Sequence, residues 1–586
     1  MNDYRIYAVG DSALTVELAN TINKVINNRV ITLSRLLEAL KVFGVLDIIP
    51  SYGCVSVIYD VVKIRSKHPS AANYIIEQIS DAVRNTDSAL INLNRTIEIP
   101  VCYDVSLGID LEEMSLQKKI SIPEIIALHT SKLYRVYMLG FLPGFTYMGE
   151  VDERIATPRK KSPRLKIEAG SVGIADNQTG VYPFDSPGGW NIIGKTPLKL
   201  FDSKKENPIF FQPGDNIIFK PITLEVYNSM QRDSLPNVNE VRPLSSGKNQ
   251  MYTHLEILKP GIADSFQDLG RYGFQHLGIN PNGVMDKIAA QTANFLVGNT
   301  NDEAVLECHF PASSIFFNHS TIIALSGADF TAAIDEYEIP LNTPVFIQKG
   351  ATLNFKKWKN GARTYLAVKN GFAIPKWLNS YSTHTIAKAG GFRGRNLKSG
   401  DQLKLKNENL KSNSEKINES NLNPKFFLFP WHVEIDNLYD FDTIEIIMGN
   451  DFDELTEESK INFLSNEFLI SSRSNKMGYR LEGETLKFKN ENTSILSSAV
   501  TRGTMQLLPN GQIIILMSDH QTTGGYPKIG NVTSAAFSSL AQLPPNKKIR
   551  FKIISIDAAE EKMSRQHQYL QKIKIACQLK LKRNDD

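Results

Sequence analysis

Apolar and polar residues alternate in "YRIYAV" and "ALTVEL", on either side of the turn "GDS", and this period of two predicts the first strands of the chain. The period then lengthens. Ile26, Val30, Leu33, Leu37 and Leu40 recur at helical spacing, "VLDII" and "CVSVIY" return to strand around "PSYG", and Ile75, Ile76, Ile79 and Val83 mark a second helix. "RTIEIPVCY" reads as a closing strand, so residues 1–105 are expected to form a small α+β domain, two helices over an antiparallel sheet.

A short helix follows. In "SIPEIIALH" Ser121 and Glu124 make a capping box, with Pro123 in the first turn. From Tyr134 to Pro221 short apolar runs are punctuated by "GFLPGF", "AGSVG", "SPGGW" and "QPGD", the pattern of a β-barrel or sandwich over 106–228. Residues 229–250 are polar and aperiodic and read as a linker. A fresh start at "HLEILKP" opens a β-rich unit, 251–405, with one clear helix: Asp286 is its N-cap candidate, Ile288, Gln291, Thr292 and Phe295 set its period, and Gly298 stops it. A polar low-complexity stretch, 406–423, divides this unit from 424–586, read as more β structure ending in an amphipathic helix from Asp557 and a fraying tail, "KLKRNDD".

One phrase occurs twice: "DNQTGVYP" from Asp176 and "DHQTTGGYP" from Asp519. Each copy follows a glycine turn and an apolar strand, precedes an Ile-Gly step (Ile193-Gly194, Ile529-Gly530), and is followed by a turn plus an alternating strand, "QPGDNIIF" and "PPNKKIRF". Two barrels of one type are expected, each presenting Asp-x-Gln-Thr on a loop that leaves a strand. Gln and Thr offer donors and acceptors without charge, and the glycines let backbone N–H groups approach a ligand, a setting for an amide, a carboxylate or an oxyanion.

The chain has 586 residues, and roughly 100–200 residues per domain implies three to five domains. With 42% hydrophobic and 22% charged residues and a net charge of +4, it has neither the basic excess of a nucleic-acid binder nor the composition of a disordered chain. Cys54, Cys102, Cys308 and Cys577 form no CxxC pair, so metal-ligand spacing is lacking and reduced thiols in a cytoplasmic protein are expected. The N-terminus lacks the basic and apolar regions of a signal peptide, and no apolar run of ~18 residues predicts a membrane helix.

Other stretches carry candidate chemistry. "GWNIIGKT" (189–196) fits a phosphate-loop pattern letter for letter, but Pro197 and the strand-like "LKLF" replace the helix that motif needs, and the match is read as coincidence. "TPRKKSPRLK" (157–166), stiffened by prolines, holds Arg159, Lys160, Lys161, Arg164 and Lys166, suited to a phosphate or a carboxylate. "SRSNKMGYRL" (472–481) sets Asn475 beside a turn with Arg480, and "FQDLGRYGFQHLG" (266–278) places Gln267, Asp268 and Arg271 in a glycine-rich loop. His129 ends the capped helix, and His520 has Asn177 as its counterpart, so the shared phrase does not require an imidazole. No HExxH, GxSxG or Ser/His/Asp pattern is present.

These motifs carry a resemblance. Residues 4–220, with "LGFLPGFTYMG", "TPRKKSPRL", "AGSVGI", "QTGVYP" and "SPGGWNIIGKTPLKLFD", resemble the KipI / allophanate hydrolase subunit 1 family. Residues 254–560, with "FQDLGRYGFQHLGI", "GVMD", "NFLVGN", "SNKMGYRLEG" and "QTTGGYPKIG", resemble the KipA / subunit 2 family. Together they look like the B and C subunits of a bacterial ATP-dependent 5-oxoprolinase in one polypeptide. The resemblance implies a mainly β fold of cyclophilin-like barrels behind a small N-terminal α+β domain, and opening of 5-oxo-L-proline to L-glutamate with ATP and Mg²⁺, together with a separate LamB/YcsF-type A subunit. Self-association is compatible with it. The same module forms the carboxyltransferase part of urea carboxylase, which needs biotin, and this chain has no Met-Lys-Met attachment site; amide processing of the urea or allophanate type is the alternative that the resemblance leaves open. A regulatory role, inhibition of a sensor histidine kinase, is the reading from another class. On the enzyme reading Gln178, Thr179, Gln521, Thr522 and Thr523 bind the amide or its oxyanion. Arg159, Arg164 and Arg480 take phosphates or the substrate carboxylate, and Asp519 holds the lactam N–H or Mg²⁺. Tyr182, His129, Gln267, Asp268, Arg271, Asn475 and Tyr526 complete the candidate contacts.

Overall fold

Strands Arg5–Ala8, Ala13–Glu17, Val45–Pro50 and Cys54–Tyr59 pair as the alternation predicts, forming a four-stranded antiparallel sheet under helices Lys24–Leu40 and Ala71–Thr86. The computed structural model describes residues 4–86, 95–160, 162–233, 254–406, 425–490 and 495–585, with no side chains described beyond 582. Asn23 caps the first helix by accepting from the N–H groups of Val25 and Ile26, and the apolar stripe of that helix packs on the sheet.

The strand Thr96–Cys102 corrects the expected boundary at 105. It does not close the N-terminal sheet; it runs parallel to Asn216–Ile222 and antiparallel to Asn191–Lys195 inside a closed seven-stranded barrel. Its alternating pattern announces a strand but is blind to which sheet receives it. Helices Leu111–Lys118 and Ile122–Thr130 pack on this barrel, the second capped by Ser121 as the sequence predicts. The expected linker begins later than 229, because helix Leu224–Asp233 covers its first residues; 234–250 lie outside the described residues.

The next unit is a sandwich of two six-stranded sheets that enclose an apolar core including Leu255, Leu306, Ile323, Leu353 and Leu366. Helix Lys287–Leu296 lies on its outer face, N-capped by Asp286, and Gly298 follows it at φ 79°. Strand Phe426–Leu428 pairs with Pro344–Ile347, so the sandwich extends past the expected division at 424. The low-complexity residues 407–423 lie outside the described residues.

A second closed seven-stranded barrel follows, and its first strand, Thr443–Met448, again runs parallel to its last, Lys548–Ile553. The two barrels therefore share their closure, which is the structural content of the doubled phrase. Helix Ile556–Asp585 carries on through the tail that was expected to fray, and packs against both the sandwich helix and the N-terminal domain.

Candidate functional site

The outer face of one sandwich sheet carries a group of buried polar side chains. Ser265 stands opposite Glu307, and Glu307 opposite Tyr365. Alternation sends Phe266, Leu306, Cys308 and Leu366 into the core and turns Ser265, Gln267, Glu307, Arg363 and Tyr365 to the other side. The second barrel covers that side. Arg363 donates from one terminal nitrogen to Tyr479 Oη (2.8 Å) and to the Ala541 carbonyl (2.6 Å). Lys476, on the turn before strand Gly478–Glu482, brings its ammonium 3.0 Å from Glu307 Oε1 and 3.8 Å from Asp519 Oδ1.

Among the described residues, five atoms here have no hydrogen-bond partner: Gln267 Oε1, Glu307 Oε1, His309 Nδ1, Arg363 Nε and Lys476 Nζ. Lys476 is close to Glu307 but off the hydrogen-bonding direction. Buried polar groups are normally paired, so a cluster of unmet donors and acceptors marks a candidate site for a polar ligand carrying both kinds. Burial works to raise the Glu307 carboxyl, but Lys476, with His309 and Arg363 behind it, prevails and holds it down at about 2. Tyr365 Oη and the Met285 N–H also donate to it, at 2.9 and 2.8 Å. Asp519 behaves oppositely: burial raises it despite Lys476 and the 2.8 Å bond from Asn282 Nδ2. The site thus combines a carboxylate fixed as an anion with a carboxyl shifted toward holding its proton.

From Asp519 the chain passes to Thr523 along the boundary between the two halves. Thr523 Oγ1 accepts from the Phe141 N–H at 3.1 Å, in the "GFLPGF" turn of the first barrel. Gly140 allows that approach: a Cβ there would come within 2.9 Å of Thr523 Cβ and closer still to its hydroxyl. Across the same aromatic seam, Tyr52 Oη donates to Gln178 Oε1 (2.7 Å), and the Tyr52 ring lies 6.4 Å from that of Tyr147, which bonds Thr523 and Ser497. Both copies of the phrase reach this seam, with Tyr52 and Tyr147 between them.

The two copies differ in form. The first is a tight hairpin turning at Asp176 and Asn177, so Gln178 and Thr179 are already in strand, not on a loop. Thr179 points into the barrel, fully buried; its hydroxyl donates to the Gly173 carbonyl (3.0 Å) and so accepts from His129 Nε2 (2.9 Å), which leaves His129 Nδ1 to accept from Tyr103 Oη (2.8 Å). This pair is barrel scaffolding and does not face a ligand. Burial keeps His129 neutral down to about 3, and His309, His384 and His520 to about 3, 3 and 4. Their folded pKa values lie below the ordinary 6.5, so the unfolded chain binds more protons in this window and stability falls as pH drops from 6.5 toward 3–4. Asp11, Asp264 and Asp286, raised by burial, oppose this. The unfolding midpoint is expected to drop between pH 6.5 and 5, and less steeply in His129→Gln; equal slopes in a thermal series would overturn the assignment.

The remaining candidates divide as follows. Arg164 is committed to Asp110 through two bonds (2.9 and 2.6 Å), beside Lys160, also paired to Asp110. Arg159 is half-exposed, 4.0 Å from Asp176 and near the Trp190 ring, and Lys161 lies outside the described residues. Tyr182 is buried in the aromatic cluster of the first barrel, whereas Tyr526 is exposed. Asp268 accepts from Ser380, Ser382 and two backbone N–H groups and is consumed by its loop. Arg271, fully buried, bonds the carbonyls of Trp377 and Ser382 and stacks on Trp377; its bond to Asn282 Oδ1 (3.0 Å) orients the amide that holds Asp519. Asn475 shapes its own turn through the N–H groups of Met477 and Gly478, and Arg480 is exposed on the strand, away from the cluster. Gln521 is half-buried, and Thr522 is fully buried with its hydroxyl unpartnered. Among the described residues no group of three or more His, Cys, Asp or Glu side chains gathers to hold a metal. The four cysteines are free and buried, and among the described residues no helix is long and apolar enough to cross a membrane.

Residues 4–211 match the family described as carboxyltransferase domain, subdomain C and D, and residues 277–553 match carboxyltransferase domain, subdomain A and B. The chain is 38% identical over 238 residues to the B subunit of 5-oxoprolinase from Bacillus subtilis, covering 39% of this chain and 98% of that protein. It is 32% identical over 320 residues to the C subunit of 5-oxoprolinase from Haemophilus influenzae, covering 55% of this chain and 97% of that protein. The chain belongs to the carboxyltransferase-domain family, as a fused protein of the 5-oxoprolinase B/C type. The crystal structure of TTHA0988 superposes on this fusion with a TM-score of 0.75 at 27% identity, covering 92% of this chain and 99% of that one. In the B/C fusion the groups missed from sequence are Glu307, His309, Arg363, Lys476 and Tyr52. Lys476 lay inside the motif "SRSNKMGYRL", one residue from Asn475, and Glu307 stood in the apolar run "AVLECHF" as a lone charge, a signal that it needs a partner.

Proposed function

We propose that this B/C fusion supplies lactam-binding and proton-transfer groups to an ATP-dependent 5-oxoprolinase, opening 5-oxo-L-proline to L-glutamate with a separate LamB/YcsF-type A subunit. The observation that carries this reading is the buried Glu307–Lys476 cluster with unmet donors and acceptors, in a chain matching both subunit types over nearly their whole lengths. A lactam presents one N–H donor and one carbonyl acceptor on adjacent atoms. Gln267 Oε1 and Glu307 Oε1 suit the N–H, and the Lys476 ammonium and Arg363 Nε–H suit the carbonyl oxygen. When water adds to the carbonyl carbon, negative charge grows on that oxygen, where a fixed cation stabilises it more than the neutral ground state. Asp519, shifted toward its protonated form, is placed to give a proton to the departing ring nitrogen as the C–N bond breaks.

Two of the candidate phosphate contacts do not form a nucleotide site. The stretch with phosphate-loop lettering is the strand Asn191–Lys195, with no helix after it, and Arg164 is held by Asp110. ATP and Mg²⁺ are therefore assigned to the partner's side of the reaction.

Gln521, two residues from Asp519 and half-buried, is expected to contact the reacting amide. Gln521→Ala should lower turnover at least about 10²-fold, the lower range for one oxyanion donor, with folding intact. The deciding experiment mixes the full chain with a LamB/YcsF-type partner, ATP-Mg²⁺ and 5-oxo-L-proline and measures glutamate and ADP, with urea and other small amides as controls. Glutamate formed in step with ADP supports the reading; ADP released equally with urea, or no glutamate, refutes it.

A further inference from the structure

A second polar site lies elsewhere, where the N-terminal sheet meets the second barrel. The cleft there has a cavity volume of about 70 Å³, and each half of the chain supplies one wall: Tyr7, Glu17 and Cys54 from the N-terminal sheet, Asp451, Ser498 and Lys528 from the second half. Lys528 opens strand Lys528–Val532 and is 5% exposed. Its ammonium donates to the neutral Ser498 hydroxyl, and among the described residues it forms no ion pair. The carboxylates of the cleft are occupied elsewhere. Arg5 clamps Glu17 through two bonds (2.9 and 3.2 Å). Asp451 accepts the Lys528 backbone N–H on Oδ2 (2.7 Å) and Asn450 Nδ2 on Oδ1 (3.1 Å). Cys54 adds no charge, because burial lifts its thiol to about 11.

Lys528 is thus a buried cation with no carboxylate in ion-pair contact among the described residues, only the more distant pull of Asp451 and Glu17, and such a charge is costly to bury. We propose that it binds a small carboxylate, one oxygen on the Lys528 ammonium and the other on the Ser498 hydroxyl. The nearby carboxylates Glu17 and Asp451 disfavour a dianion, and the one guanidinium among the lining residues, Arg5, is committed to Glu17, which leaves no second free cation in the lining to hold a phosphate. Burial also lowers the Lys528 pKa, which a bound anion would reverse. Tyr52 walls the same cleft while donating to Gln178, so an occupant touches the residue that borders the seam.

This site does not depend on the reading of the Glu307 cluster. The test uses the full chain, with 5-oxo-L-proline, L-glutamate, acetate and inorganic phosphate as probes. Reductive methylation of Lys528, followed by peptide mass mapping, should slow in the presence of carboxylates and not of phosphate. The ranking of the three carboxylates identifies whether a substrate-like, a product-like or any carboxylate is the ligand. In titration calorimetry Lys528→Met should weaken carboxylate binding at least about tenfold, and Ser498→Ala by less, as expected for losing a charged and a neutral partner. Protection of Lys528 should survive in Glu307→Gln, which separates this site from the reaction. Should Lys528→Met not fold, protection in the unaltered chain decides. Unprotected Lys528, unchanged affinity in both variants, or equal protection by phosphate overturns the proposal.

Discussion

Glu307→Gln is expected to lower 5-oxoproline-dependent ADP release in the complete system by at least about 10²-fold, the scale of losing one group that stabilises developing charge. The substitution keeps the size of the side chain and removes the charge that positions Lys476, 3.0 Å away. It also leaves the buried ammonium with only Asp519, 3.8 Å away, and breaking a buried pair from one side costs up to roughly 3–5 kcal/mol of stability. The two effects separate in a double variant. Glu307→Gln with Lys476→Met removes both charges and should recover much of the lost stability, while turnover stays low. If the double variant regains turnover, the pair is structural and the site lies elsewhere. The pH behaviour has a definite sign. The folded carboxyl titrates at about 2, below the ordinary 4.5, so its contribution is present above 4.5 and is lost as pH falls toward 2. Glu307→Gln should flatten that part of the acid unfolding curve, read by thermal scans in steps of pH.

The hydrophobic pattern carried most of the elements, because helix and strand periods are local properties. Ser121, Asp286 and Gly298 act where the spacing placed them. What the pattern could not carry was partnership between distant strands. Thr96–Cys102 pairs with Asn216–Ile222, more than a hundred residues on, and Phe426–Leu428 returns to Pro344–Ile347 across a polar stretch. Nothing in a strand's own alternation names its neighbour. The site shows the same divide. The doubled Gln-Thr phrase correctly marked two barrels and pointed at the seam, but the inward face of a strand is as polar in letters as its outward one, and Thr179 proved to bond His129. Asp519 was visible because it sat in the repeat. Glu307, Arg363 and Lys476 come from three separate segments and meet only through sheet register and the docking of the second barrel.

Glu560→Ala is expected to destabilise the chain by roughly 3–5 kcal/mol, the range for stripping a buried charge of its role as partner. Glu560 belongs to the last helix, yet its fully buried carboxylate accepts from the N–H groups of Ala71 and Ala72 at 3.0 and 2.8 Å and pairs with Arg65 at 3.0 Å. The helix Ala71–Thr86 begins at those two amides, so a residue almost five hundred positions away serves as its N-terminal cap. Two donors that no intrahelical carbonyl serves and the positive end of a helix dipole both favour a carboxylate there. Glu560→Gln keeps one acceptor and should lose less than Glu560→Ala. The loss should be local before it is global. Hydrogen exchange in 71–86 should accelerate well ahead of exchange in either barrel, because this contact ties the N-terminal domain to the end of the chain. Loosening that tie also opens the cleft between the N-terminal sheet and the second barrel, so carboxylate protection of Lys528 should weaken in Glu560→Ala although Glu560 does not line the cleft. Uniform exchange across the molecule, with Lys528 protection unchanged, would show that the helix is held by its apolar face alone.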